Sequence, residues 1–291
     1  MAHEHTKKIG WTVLLNIVIT IAEYIGGTIS GSLALLSDSG HNFSDVLSLI
    51  LGYFGEKIAD KKSTKKHTFG FKRFEIFTAL INSLSLWAIG IFIIYEAIIR
   101  LSHPESISIA IMLGVAIVGL LGNFFSILIL NKEKDESLNM KAAYLHLFYD
   151  TISSVAVIIA GIIIYFTNWI ILDLIMSIFI ALMIFYSGFE IVKNALHIFM
   201  QGTPEEIDFD DVFKTISKVG GVKSVHNLHI WSINSNEIFL SGHICVDKKV
   251  SKLGGVLKEI NKLILEKYDI ENSAIQIEEE GFCSADKKQK I

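Results

Sequence analysis

Two histidine–aspartate pairs of identical spacing lie inside otherwise apolar stretches: His41 with Asp45 in LALLSDSGHNFSDVLSLILGY, and His146 with Asp150 in AAYLHLFYDTISSVAVIIAGIII. Residues four apart on a helix point the same way, with Cβ atoms about 5–6 Å apart, so each pair forms an oxygen–nitrogen pincer. An ionisable side chain at mid-bilayer costs about 2.5–3.5 kcal/mol even on a lenient insertion scale, so such residues are rarely idle. Two facing pincers supply four ligands, the number Zn²⁺ prefers. Two imidazoles and two carboxylates suit Zn²⁺, with Cd²⁺ or Co²⁺ tolerated, whereas an all-oxygen octahedral set suits Mg²⁺ or Mn²⁺. The spacing therefore predicts a transmembrane site for a borderline-soft divalent cation. Metal ligands bind in their deprotonated forms. Because an unperturbed histidine titrates near ~6.5, the same four groups can alternate between holding H⁺ and holding metal.

The elements that must position these residues follow from composition. The 291 residues are 51% hydrophobic and only 19% charged, too apolar for an ordinary soluble domain of this length. Segments of about 20 apolar residues cross a bilayer. Such segments fall at roughly residues 9–29, 33–58, 75–101, 106–130, 140–166 and 170–198, which predicts an integral membrane bundle of six transmembrane helices over residues 1–202. The first span lacks a small-residue cleavage site and reads as a retained helix, not a signal peptide. Lys7 and Lys8 precede helix one, Lys57 to Arg73 crowd the joint between helices two and three, and Lys132, Lys134 and Lys141 flank the joint between four and five. The alternate joints carry no Lys or Arg, which places both termini in the cytoplasm. A net charge of −4 with no basic tract outside these loops argues against a nucleic-acid partner. The lysines are explained by topology and by anionic membrane lipid.

Charges become frequent after FMQGTPEEIDFDD, and residues 203–291 read as a soluble cytoplasmic domain. The pattern gives a helix near 208–219, strands SVHNLHIWSI and IFLSGHICV, a helix near 253–268 and a last strand SAIQIEEE. This αββαβ order predicts a small α+β, ferredoxin-like domain with two helices on one antiparallel sheet. A domain of this size sits near the lower limit of independent stability, and a second copy would help. His226 and His243 pair across adjacent strands, while His229, three residues from His226, is expected on the opposite face by strand alternation. Histidines satisfied by hydrogen bonds within the sheet are the other reading of this cluster. Cys245 and Cys283 both fall in the cytoplasmic region, which argues against a structural disulfide.

Further polar residues accompany the quartet. Asp38, three residues before His41, reads as an acid capping the start of helix two. Glu75, beside Lys72 and Arg73, reads as an end cap or ion pair, and Asp173 likewise begins a helix. Glu23 on helix one could relay protons or guide the ion. His67 could bind metal with Asp60, but a solvated loop histidine is the plainer reading.

GSLALLSDSGHNFSDVLSL, HTFGFKRFEIFTAL, LNMKAAYLHLFYDTISS, QGTPEEID, VHNLHIWSI, LSGHICV and IQIEEE together resemble the cation diffusion facilitator family, in its bacterial zinc branch, from about Trp11 to Cys283. The resemblance implies a homodimeric exporter with six helices per protomer that moves Zn²⁺ out of the cytoplasm against inward proton flow. It implies a transport quartet of His41, Asp45, His146 and Asp150, and a cytoplasmic metal site on His226, His243 and Glu278 with zinc as a regulatory ligand. The histidine that often precedes the last strand of such domains is replaced here by Glu271. No organic cofactor is implied.

Three other functions compete with this reading. One is an exporter for Co²⁺, Cd²⁺ or Fe²⁺, since the surroundings of the ligands tune selectivity. Another is a membrane-anchored metal sensor without flux. An intramembrane zinc enzyme would carry a general base beside an open metal position, typically as HExxH. The sequence contains no such motif, so the chain is expected not to be an enzyme.

Overall fold

The computed structural model describes residues 2–131, 138–248, 250, 252–279, 281 and 283; at 2–13, 49, 129–130, 138–143, 145 and 146 it describes the backbone alone. Six long helices come first: α1 (Ala2–Ser30), α2 (Leu33–Ala59), α3 (Phe74–Ser102), α4 (Ile109–Leu130), α5 (Leu138–Thr167) and α6 (Ile171–Phe199). Among the described residues, four helical stretches are long and apolar enough to cross a membrane: Phe74–Ser102, Ile109–Leu128, Leu147–Thr167 and Ile171–Phe199. The apolar part of α1 runs from Leu14 to Ser30. With 27 residues α2 is also long enough, at about 1.5 Å per residue, but Asp38, His41, Asn42 and Asp45 dilute its apolar character. Large apolar side chains stand bare on the outside of these helices, among them Phe92, Phe166 and Tyr186, a surface suited to hydrocarbon.

The described chain forms two compact units, Met1–Phe54 with Ala79–Val192, and Gly55–Thr78 with Lys193–Ile291. In the first, α4 packs against both α1 and α5. Gly119 and Gly122 permit the α1 contact, because a Cβ at either would run into Glu23 or Ile19. Small residues let membrane helices approach where no hydrophobic effect pulls them together. The joint between α1 and α2 turns at Gly31, whose φ of 73° is left-handed, and its carbonyl accepts a 2.6 Å hydrogen bond from Arg100.

The second unit holds α7 (Phe209–Ser217), β1 (Val222–Ser232), β2 (Ile238–Val246), α8 (Leu253–Tyr268) and β3 (Asn272–Glu279). Asp208 caps α7 by accepting from the N–H groups of Asp210 and Asp211 at 2.9 and 3.3 Å. Val212 and Ile216 of α7, with Val256, Ile260 and Ile264 of α8, meet Val225, Leu228, Ile230, Leu240 and Ile244 of the sheet in one core.

The sheet order is β1-β2-β3, with β1 antiparallel to β2 and β3 parallel to β2. The expected fully antiparallel sheet is therefore corrected: α8 carries the chain back before β3, as a crossover between parallel strands requires. Two further expectations change. Asn227 takes φ 49° in a register shift between His226 and His229, so Val225, Leu228 and Ile230 all face the core. That bulge places His226 and His229 together on the opposite face, not on opposite sides. Cys245 and Cys283 are joined in a disulfide, against the expectation from compartment.

Candidate metal centres

The first cluster forms in the membrane bundle. His41 and Asp45 lie one turn apart on α2, with His41 Nε2 3.8 Å from Asp45 Oδ2. The same Nε2 is 3.6 Å from Asp150 Oδ1 on α5, a residue only 3% exposed. Ligand atoms of His41, Asp45 and Asp150 all lie within 4.8 Å of one another, a spread that one metal ion can span. His146, the fourth predicted ligand, sits on α5 one turn before Asp150; its side chain lies outside the described residues.

The surroundings of this cluster are polar and buried. Asp38 is 3% exposed and accepts a 2.9 Å hydrogen bond from Ser153 on α5. It does not cap α2. That role belongs to Asp173 of α6, whose carboxylate accepts from the N–H groups of Leu33 and Ala34 and from Ser32 Oγ. Glu23, 1% exposed on α1, accepts a 2.7 Å hydrogen bond from Asn42, the residue after His41. Sequence spacing could not pair Glu23 with Asn42, or Asp173 with α2, because each contact joins different helices.

A second cluster lies on the sheet. His226 and His243 are register partners with ring centroids 5.3 Å apart. Glu278 on β3 stands between them, Oε1 2.8 Å from His243 Nδ1 and Oε2 3.3 Å from His226 Nε2. The three predicted residues are thus brought together, with ligand atoms within 4.8 Å. His226 and Glu278 are buried and His243 is half-exposed. Two imidazoles and one carboxylate are a donor set that fits Zn²⁺ with a fourth position left over. His229 shares the face but belongs to neither cluster.

The remaining sequence candidates part ways with these clusters. His67 is exposed, stacks on Phe71 at 4.6 Å and joins no group of ligands among the described residues. Glu75 neither pairs with Lys72 nor with Arg73; it accepts from Ser235 Oγ at 3.0 Å, while Lys72 pairs with Glu237.

Residues 11–200 match the family model described as cation efflux transmembrane domain, and residues 204–280 match that of the cation efflux protein cytoplasmic domain. A Bacillus subtilis protein described as a cadmium, cobalt and zinc/H⁺-K⁺ antiporter is 40% identical over 97% of this chain and 93% of its own. The zinc transporter ZitB of Pectobacterium atrosepticum is 33% identical over 98% of this chain and 92% of its own. Among solved structures, the metal-bound C-terminal domain of the CzcD transporter from Cupriavidus metallidurans is 38% identical, covering 25% of this chain and 99% of that one at a TM-score of 0.24. A multi-pass bundle carrying a ligand cluster, a cytoplasmic-type α+β unit and these matches along nearly the whole length lead to one assignment: the chain belongs to the cation diffusion facilitator, or cation efflux, family.

Proposed function

We propose that this protein exports divalent cations, Zn²⁺ foremost, from the cytoplasm across the inner membrane in exchange for protons, as a transporter and not an enzyme. The observation that carries the reading is the convergence of His41, Asp45 and Asp150 from two helices onto one point inside an apolar bundle. His146 joins them as the fourth ligand of the transport site. Four protein ligands close a tetrahedral sphere, which leaves no open position for a reacting water.

Zinc enters from the cytoplasm when the quartet is deprotonated, helices rock to expose it outward, and external protons displace it. Two carboxylates neutralise Zn²⁺, while the two imidazoles supply the softer donors that Mg²⁺ and Ca²⁺ do not seek. The division falls at residues 202/203, with a transmembrane domain before it and a cytoplasmic domain after it, and both termini are cytoplasmic.

The cytoplasmic domain binds a second zinc through His226, His243 and Glu278. Its helices cover one sheet face only, and a second copy packs on the other, so that metal there tightens a homodimer. The neighbouring reading within transport is Co²⁺, Cd²⁺ or Fe²⁺ as cargo. The name of the Bacillus subtilis relative includes cadmium and cobalt, which supports a broad range.

The test is zinc flux and internal pH in proteoliposomes of the wild type and Asp45→Ala under an imposed proton gradient. Gradient-dependent flux that disappears in the variant is expected. Undiminished flux in the variant would send the ion along another path and refute the site, and binding without any flux in the wild type would make the protein a sensor.

A further inference from the structure

Within the second unit a cavity of about 1260 Å³ opens beside the start of α3 and the end of α6. Its walls are aromatic: Phe71, Phe74 and Phe77 come from the α2–α3 loop and the first turn of α3, Phe199 from the last residue of α6, and Trp231 from β1. The apolar spans of α3 and α6 begin and end at Phe74 and Phe199, so the cavity sits where hydrocarbon gives way to headgroups.

Among the described residues, one cation in this wall is unmatched. Lys72 and Arg73 both border the cavity, but Lys72 is held by Glu237 and the neighbouring acid Glu75 is taken by Ser235. Arg73 is half-buried, and among the described residues its guanidinium has neither an acidic partner nor a hydrogen bond. Asp208 and Asp210 also border the cavity, yet both are exposed, Asp208 is committed to capping α7, and neither pairs with Arg73. A guanidinium fork partly withdrawn from water and set among aromatic rings matches a phosphate diester through paired N–H donors. A free phosphate would leave the aromatic wall wet. A phospholipid fills both parts, and the lysines of the same loop at 61, 62, 65 and 66 favour an anionic one.

We propose that this cavity is a binding site for one anionic phospholipid, its phosphate on Arg73 and its acyl chain along Phe74, Phe77 and Phe199. The lipid then joins the α2–α3 loop, the end of α6 and β1 into one body, and it makes the packing of this unit depend on membrane composition.

The experiment reads Trp231. The full chain is placed in vesicles of phosphatidylcholine and phosphatidylglycerol at fixed composition, with bromine on the acyl chains of one lipid or the other. The Trp231 emission is the difference between the wild type and Trp231→Phe. Brominated phosphatidylglycerol is expected to quench that component with about tenfold preference over brominated phosphatidylcholine, the scale of one charge-assisted contact. Arg73→Gln should abolish the preference, and Arg73→Lys, which keeps the charge without the fork, should retain part of it. Equal quenching by the two lipids overturns the proposal, as does a preference that survives Arg73→Gln. Absence of quenching by either lipid assigns the cavity to a soluble occupant and overturns it as well.

Discussion

Asp173 closes the N-terminus of α2 across 140 residues of sequence, its Oδ2 accepting the Leu33 N–H at 2.7 Å. Oδ1 receives Ser32 Oγ at 2.6 Å and the Ala34 N–H at 3.3 Å. A helix start buried in a membrane bundle has no water for its first N–H groups, so the cap must come from another element. Here it comes from α6, and it fixes where α2 begins and hence where His41 and Asp45 stand.

Asp173→Ala leaves those donors buried without an acceptor, at about 1–3 kcal/mol for each group so stranded. The variant should melt well below the wild type in detergent while the folded fraction still binds zinc, since none of the proposed ligands is removed. A thermal unfolding curve beside a zinc titration checks both halves. An unchanged melting temperature would mean that the cap contributes nothing.

Ser153 and Asp38 make a second bridge, this one beside the proposed ligands. The hydroxyl of Ser153 donates a 2.9 Å hydrogen bond to that buried carboxylate, and Asp38 lies on the α2 stripe that carries His41. Ser153→Ala should lower zinc flux about fivefold, the equivalent of one hydrogen bond worth about 1 kcal/mol, and Ser153→Thr should restore most of it. Proteoliposome flux at matched protein content decides the matter. If alanine and threonine behave alike, the hydroxyl plays no part.

The long apolar runs made the six helices legible in the sequence, and the HxxxD spacing singled out the first cluster without any knowledge of which helices touch. The ends of α2, α3 and α6 carry visible sequence marks: Gly31, the lysine-rich loop and QGTP. What could not be read were the pairings between elements. Asp38 was expected as a cap and is a buried partner of α5, while the true cap lies on α6. Strand alternation separates His226 from His229 on paper, but at Asn227 one bulged residue inverts every later side chain. A bulge at an asparagine leaves no periodic trace. The Cys245–Cys283 disulfide joins residues 38 apart in sequence, and compartment says nothing about which thiols the fold brings together.

The cytoplasmic cluster predicts a separable zinc site. Glu278 holds both imidazoles by its two oxygens, so replacing it removes one proposed ligand and the group that orients the other two. Glu278→Gln in the full chain should weaken that site by about tenfold to a hundredfold and leave the membrane site unchanged. Titration with zinc, followed by stepwise chelation, should show two classes of site in the wild type and one in the variant. Two intact classes in Glu278→Gln would remove the residue from the ligand set.

Acid should loosen the contact between α7 and α8. The Lys267 ammonium, first, and the Tyr268 hydroxyl both hydrogen-bond Asp211 and hold its carboxyl below the ordinary carboxylate range; Lys267 is raised in turn, chiefly by Asp211. A depressed folded-state pKa adds stability above the unfolded value and loses it as the pH falls through the folded one. The residues are exposed, so the effect is small and screened by salt. Asp211→Asn should therefore melt slightly lower than the wild type at neutral pH and low salt, with the difference vanishing once the pH drops below the carboxylate range. A gap that persists in strong acid would trace to packing, not charge.

The charge of the proposed transport quartet gives the sharpest test. Two carboxylates and two neutral imidazoles around Zn²⁺ sum to zero, a condition that matters where Asp150 is 3% exposed inside an apolar bundle. Asp150→Asn keeps the shape and an oxygen donor but leaves one uncompensated positive charge when the metal is bound. An unmatched charge in the bilayer costs about 2.5–3.5 kcal/mol on the lenient scale, which is about a hundredfold or more in zinc occupancy. Zinc flux should fall by that factor while the circular dichroism and the cytoplasmic zinc site stay as in the wild type. Flux within a few-fold of the wild type would show that charge neutrality at Asp150 is not what lets the ion cross, and the quartet would have to be abandoned.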